Sequence, residues 1–133
     1  MNRLGHIIYY VKNVTETVEF FEKAFGLKRA FIDETGVYAQ METGDTALGF
    51  ADQKFAKEHV MGNYTPLNGA APFGMEISFC SHEPQSNYDR AIEAGCEGIN
   101  PLEEKPWGQT VGHVLTPDGI LVEISSEMAH ATN

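Results

Sequence analysis

The chain has 133 residues, 42% of them hydrophobic, and a formal net charge of −10 at pH 7. That length allows one domain, or two small modules sharing a core, and buries enough apolar surface to fold without a disulfide or a metal. The acidic balance argues against nucleic acid, whose phosphates would be repelled, and no apolar run approaches the roughly 20 residues of a membrane span.

Residues 4–11, LGHIIYYV, alternate within an apolar run, with His6, Ile8 and Tyr10 on one face and Ile7, Tyr9 and Val11 on the other. Asn13 or Thr15 caps the helix that follows by accepting a hydrogen bond from a free backbone N–H. Val14, Val18, Phe21 and Phe25 recur at helical spacing as its buried stripe. Gly26 is placed to end it in the left-handed conformation. Strands are expected near 28–33, 37–42 and 46–51, with turns at Gly36 and at Gly44-Asp45. The stretch 52–72 shows no strand period, contains Gly62, Pro66, Gly69 and Pro72, and reads as a linker with room for one helical turn.

The same order of elements then returns. In GMEISFC, Glu76, Ser78 and Cys80 share one face and Ile77 and Phe79 the other. Pro84 suits the first turn of a second helix, Tyr88, Ala91 and Ile92 give its apolar stripe, and Gly95 ends it. Strands near 97–100, 109–115 and 120–126 complete the copy, with Pro117-Asp118-Gly119 as the last turn. The organisation is one domain, 1–133, built of module 1 (1–51), a linker (52–72), module 2 (73–127) and a tail (128–133).

His6, Glu76 and Glu123 interrupt otherwise apolar strands on the faces turned away from the helices. Burying three unpaired ionisable groups in a core would be costly, so they imply a concave, partly wet surface. MNRLGHIIYY carries no small-residue cleavage site and reads as a first strand, not a signal peptide. Cys80 and Cys96 form no CxxC and read as reduced thiols of a cytoplasmic protein.

GHIIYYV with a helix ending KAFGL, and then EKPWGQTVGHVLTPDGILVEI, resemble the vicinal oxygen chelate superfamily. That superfamily takes in glyoxalase I, bleomycin-resistance proteins, extradiol dioxygenases and fosfomycin-resistance enzymes. The resemblance covers essentially the whole chain. It implies an α+β fold of two βαβββ modules whose mixed sheets form an open cup around a metal or ligand, and a homodimer. His6 matches the family's first metal-ligand position and Glu123 its final Glu. Glu76 stands where a second His is usual, and Gly49 where glyoxalase I has a carboxylate. The implied metal set is therefore His6, Glu76 and Glu123. This oxygen-rich set suits Mn, Mg or Fe(II), with Ni or Zn as further candidates, and a metal-free cup is the other expectation.

The principal residues each have more than one reading. His6 is a ligand or a hydrogen-bonded strand histidine. Glu76 is a ligand, a general base with a burial-raised pKa, or a carboxylate reading a ligand amine. Glu123 is a ligand or catalytic carboxylate, or one half of a salt bridge. His113 contacts substrate, shuttles a proton or adds a ligand, or is a partly exposed strand histidine. Trp107 resembles the loop aromatic that stacks on ligands in bleomycin-binding members, or is a packing anchor. Tyr10, Tyr38, Gln40 and Ser78 are candidates to line the cup. His59, His82 and His130 receive no role. The leading expectation is a metal-dependent lyase or isomerase acting beside a carbonyl of a small molecule, with Glu76, His113 and Glu123 as catalytic groups. The alternative is a metal-free protein that sequesters a drug or metabolite.

Overall fold

In the computed structural model, which describes residues 1–69 and 71–127, the apolar alternations become strands and the helical stripes become helices. The tail 128–133, with His130, lies outside the described residues. The chain divides into two compact units, Met1–Leu67 and Asn68–Asn133. The first runs β1 (His6–Val11), α1 (Val14–Phe25), β2 (Lys28–Ile32), β3 (Tyr38–Glu42), β4 (Ala47–Asp52) and α2 (Gln53–His59). The second runs β5 (Ile77–Ser81), α3 (Pro84–Ala94), β6 (Glu97–Glu104), β7 (Thr110–Leu115) and β8 (Leu121–Ser126). The architecture is α+β, with two βαβββ modules. Each module is an open four-stranded mixed sheet, ordered β1-β4-β3-β2 in the first and β5-β8-β7-β6 in the second. The leading strand of each lies parallel to the last, and the other neighbours are antiparallel.

Local chemistry sets the helix ends. The Asn13 side chain accepts from the Glu16 N–H at 3.0 Å, so Asn13, not Thr15, is the cap. Gly26 closes α1 at φ 69°. The buried face of α1 is Val14, Thr17, Val18, Phe21 and Ala24. Phe25 is only half-buried and stacks on Phe21 at 5.1 Å, because the small Ala24 takes the place nearest the sheet. Phe21 meets Phe50 at 4.9 Å over a core that includes Val11, Ala39, Met41 and Leu48. Residues 53–59 of the expected linker form α2, capped by the Asp52 carboxylate on the Phe55 N–H, with Ala56 buried.

The second unit repeats this with a thinner helix. Pro84 opens α3, but Ala91 is its only buried residue and Ile92 stays 39% exposed. The core is supplied instead by the strands, through Val111, Val114, Leu115, Val122 and Ile124, and by Ile120 just before β8. β6 runs four residues past its expected end, to Glu104, with register shifts on either side of Asn100. Pro101 is tolerated because β6 is a bulged edge strand.

The ladders give a residue-by-residue correspondence between the units. Ile8 pairs with Gly49 and Gly49 with Gln40, as Ser78 pairs with Glu123 and Glu123 with His113. Gly49 thus corresponds to Glu123, Gln40 to His113, and His6, two residues before Ile8, to Glu76.

Candidate metal centre in the second unit

The period of two in a strand and the register of the ladder together decide which side chains meet. Cross-strand partnership puts Ser78, Glu123 and His113 side by side on the face away from α3, and Glu76 joins them from the residue before β5. His113 Nε2 lies 3.1 Å from Glu76 Oε1 and 3.8 Å from Glu123 Oε2. One ligand atom from each of the three residues falls within 4.8 Å of the others. Their side chains are 38%, 19% and 20% exposed for Glu76, His113 and Glu123, so the cluster is reachable from solvent yet partly desolvated.

Further polar groups hold Glu123 and His113 in place. The Ser78 hydroxyl donates to Glu123 Oε1 at 2.6 Å and lies 3.2 Å from the Ser125 hydroxyl, which donates to Cys80 Sγ at 3.4 Å. The Asn100 side-chain nitrogen is 3.2 Å from His113 Nδ1. With that amide nitrogen facing the ring, a neutral His113 accepts at Nδ1 and donates from Nε2 to Glu76. Partial burial is the main cause that pushes the Glu76 carboxyl above its ordinary value. The hydrogen bond and negative charge of Glu123 add to the rise, and His113 opposes it.

The donor set fits a divalent ion. Ligand atoms about 2.0–2.2 Å from one ion stand roughly 3–4 Å from each other, and the separations of 3.1 and 3.8 Å from His113 Nε2 fall in that span. Two carboxylates and one imidazole suit Mn, Mg, Fe(II), Ni or Zn.

Of the residues singled out in the sequence, Glu76, His113 and Glu123 come together and Ser78 supports them. His6 opens β1 in the first unit and is exposed. Tyr10, Tyr38 and Gln40 lie on the open face of the first sheet. Trp107, in the β6–β7 hairpin, is 50% exposed, and its indole N–H is taken by Gln109 Oε1 at 2.9 Å. It is therefore not a buried packing anchor. Sequence reasoning missed Asn100 and Ser125. Ser125 was findable, since it follows Glu123 by one strand period. Asn100 was not, because the two register shifts around it cannot be read from residue order.

Known proteins share this architecture. The sequence model of the Glyoxalase/Bleomycin resistance protein/Dioxygenase superfamily matches residues 3–124. The uncharacterized protein YraH of Bacillus subtilis (strain 168) is 27% identical over 123 residues, covering 92% of this chain and 96% of that protein. A glyoxalase-related enzyme from Fulvimarina pelagi superimposes with a TM-score of 0.80 at 18% identity, covering 96% of this chain and 89% of that one. A glyoxalase/bleomycin resistance protein/dioxygenase family enzyme from Burkholderia phytofirmans PsJN gives 0.78 at 16% identity, covering 94% and 98%.

Proposed function

The chain belongs to the Glyoxalase/Bleomycin resistance protein/Dioxygenase superfamily, and we propose that within it the protein is a divalent-metal-dependent enzyme acting on a small molecule. The reaction class is lyase or isomerase chemistry beside a carbonyl. Glu76, His113 and Glu123 would hold the ion, which when bound supplies Lewis-acid polarisation of substrate oxygens. The chain's own groups do the rest. Ser78 fixes the Glu123 carboxylate and Asn100 fixes the His113 ring. Glu76 has two carboxylate oxygens, so that one can ligate while the other takes a proton from carbon.

The observation that carries this reading is the convergence of three ligand atoms within 4.8 Å from separate segments of the second unit. Elemental analysis of purified protein and calorimetry with Mn, Mg, Fe(II), Ni and Zn test it. One ion per chain is expected, with affinity reduced at least about tenfold in Glu123→Ala and His113→Ala. No divalent ion bound under any condition would sink it. His6→Ala, measured in parallel, decides whether the first-strand histidine expected from the resemblance also ligates. Sedimentation tests the homodimer.

A second reading, a metal-free protein that sequesters a drug or metabolite, is favoured by Trp107, whose half-exposed ring offers a stacking surface. Calorimetry with bleomycin-type cationic ligands in chelator discriminates. Tight binding that weakens in Trp107→Ala supports sequestration, and absence of heat counts against it.

A further inference from the structure

The first unit presents a face built from different chemistry at the matching ladder positions. Gly49, the counterpart of Glu123, has no side chain, yet the space above it is taken. The Tyr38 hydroxyl lies 2.6 Å from where a Cβ on Gly49 would be, with ring atoms Cζ and Cε1 at 3.1 and 3.2 Å. The Tyr38 ring therefore leans across the sheet onto the spot from which a carboxylate would project. Gln40, the counterpart of His113, donates from Nε2 to the Tyr38 hydroxyl at 2.9 Å. That bond uses a lone pair of the phenol. The phenol proton and Gln40 Oε1 have no other partner among the described residues. Turning the amide over exchanges the roles, but the couple still offers at least one donor and one acceptor side by side.

Apolar surface flanks this couple. Ile8 and Phe31 end the cross-strand row that runs through Gly49 and Gln40, and each is 45% exposed. The Phe31 ring sits 6.0 Å from that of Tyr38. In the next row, Tyr10 is steadied edge-on by Tyr64 at 5.0 Å. The row through Gly49 and Gln40 contains no charged side chain, and the next ends at Asp33, whose carboxylate accepts from the Thr35 N–H.

We infer that this face is a binding site for an uncharged planar molecule whose edge carries a carbonyl beside an N–H, an aryl carboxamide or lactam. The carbonyl accepts the Tyr38 proton, the N–H donates to Gln40 Oε1, and the ring lies against Phe31 and Ile8. A carboxylate ligand would meet no cation on these two rows, on a chain of net charge −10. An ion would find a phenol and an amide in place of the carboxylate and imidazole of the second unit. The inference uses first-unit residues alone and stands apart from the metal reading.

Benzamide is the probe, followed by 15N-resolved NMR of the whole chain up to about 10 mM, the range expected for a molecule this small. Saturable shifts are expected at the Gln40 side-chain amide and at Gly49. N,N-dimethylbenzamide, which lacks the N–H, and benzoate, which is charged, should each bind about fivefold weaker or worse, the worth of one hydrogen bond. Tyr38→Phe should weaken benzamide by a similar factor. Gly49→Ala should abolish its binding while the amide spectrum stays folded, because the atom a Cβ displaces is the tip of a movable side chain. The inference is overturned if benzamide gives no saturable shift at these residues, if dimethylbenzamide binds as well, or if both variants leave binding unchanged.

Discussion

At the scale of single residues, environment rather than type decides what a group does. The two cysteines show it. Cys96 is 6% exposed, and burial pushes its thiol up to about 12, while Cys80 is exposed. Titration of the folded chain with a thiol reagent at pH 8 should therefore label Cys80 alone, with Cys96 reacting only after denaturation. Tyr9 is a second case. Its hydroxyl is shielded from solvent and has no partner among the described residues, and the same burial raises its pKa. Tyr9→Phe removes a desolvated polar atom and should stabilise the fold by about 1 kcal/mol in denaturant unfolding. Glu76 gives a pH dependence. Its carboxyl is held above the ordinary 4.5 in the folded chain. The metal-free folded state then binds a proton more tightly than the unfolded one. This group's contribution is fully present below about pH 4.5 and is lost as pH rises through the elevated value. Glu76→Gln should flatten that part of the stability profile, and an unchanged slope would show that the carboxyl is not raised.

At the scale of elements, most boundaries follow from short-range chemistry, and the departures have local causes. Asn13, Gly26 and Pro84 mark helix ends where their side chains or backbone demand it. α2 was legible only as room for one helical turn in the linker, because seven residues with one buried side chain leave almost no periodic signal. β6 ran past its expected end because an edge strand tolerates both a proline and bulges. The last turn is the least forgiving element. Gly119 has φ 93°, and a Cβ there would lie 2.5 Å from the Gly69 backbone nitrogen and 2.9 Å from its Cα. Backbone cannot swing aside as a tyrosine can. Gly119→Ala should destabilise the chain by about 2–4 kcal/mol, combining strain at positive φ with overpacking. A chevron or equilibrium unfolding series would register a smaller loss if the turn can shift as a unit.

At the scale of the whole molecule, duplication supplied two sheets and divergence gave them different chemistry. His6, Gln40 and Gly49 stand where the second unit has Glu76, His113 and Glu123. One open face carries the Tyr38–Gln40 couple among aromatic rings, and the other an imidazole between two carboxylates. If the acidic face holds an ion, saturation at 100 times its Kd should stabilise the folded chain by about 2.7 kcal/mol, raising Tm by roughly 10 °C. Chelator should reverse the shift, and Glu123→Ala should remove it. The sequence by itself determined the repeat, the two faces of each leading strand and the candidacy of Glu76 and Glu123, while the fold class and the candidacy of His113 were implied by the family resemblance. The repeat, the faces and the two glutamates follow from periodicity, turn residues and the cost of burying charge, all of which act over a few neighbouring residues. Only the tertiary structure decided that His113 lies between the two carboxylates, that Asn100 and Ser125 brace the cluster, and that Tyr38 fills the place left by Gly49. Those facts depend on ladder register and on bulges, which fix contacts between residues tens of positions apart and leave no mark on local residue order.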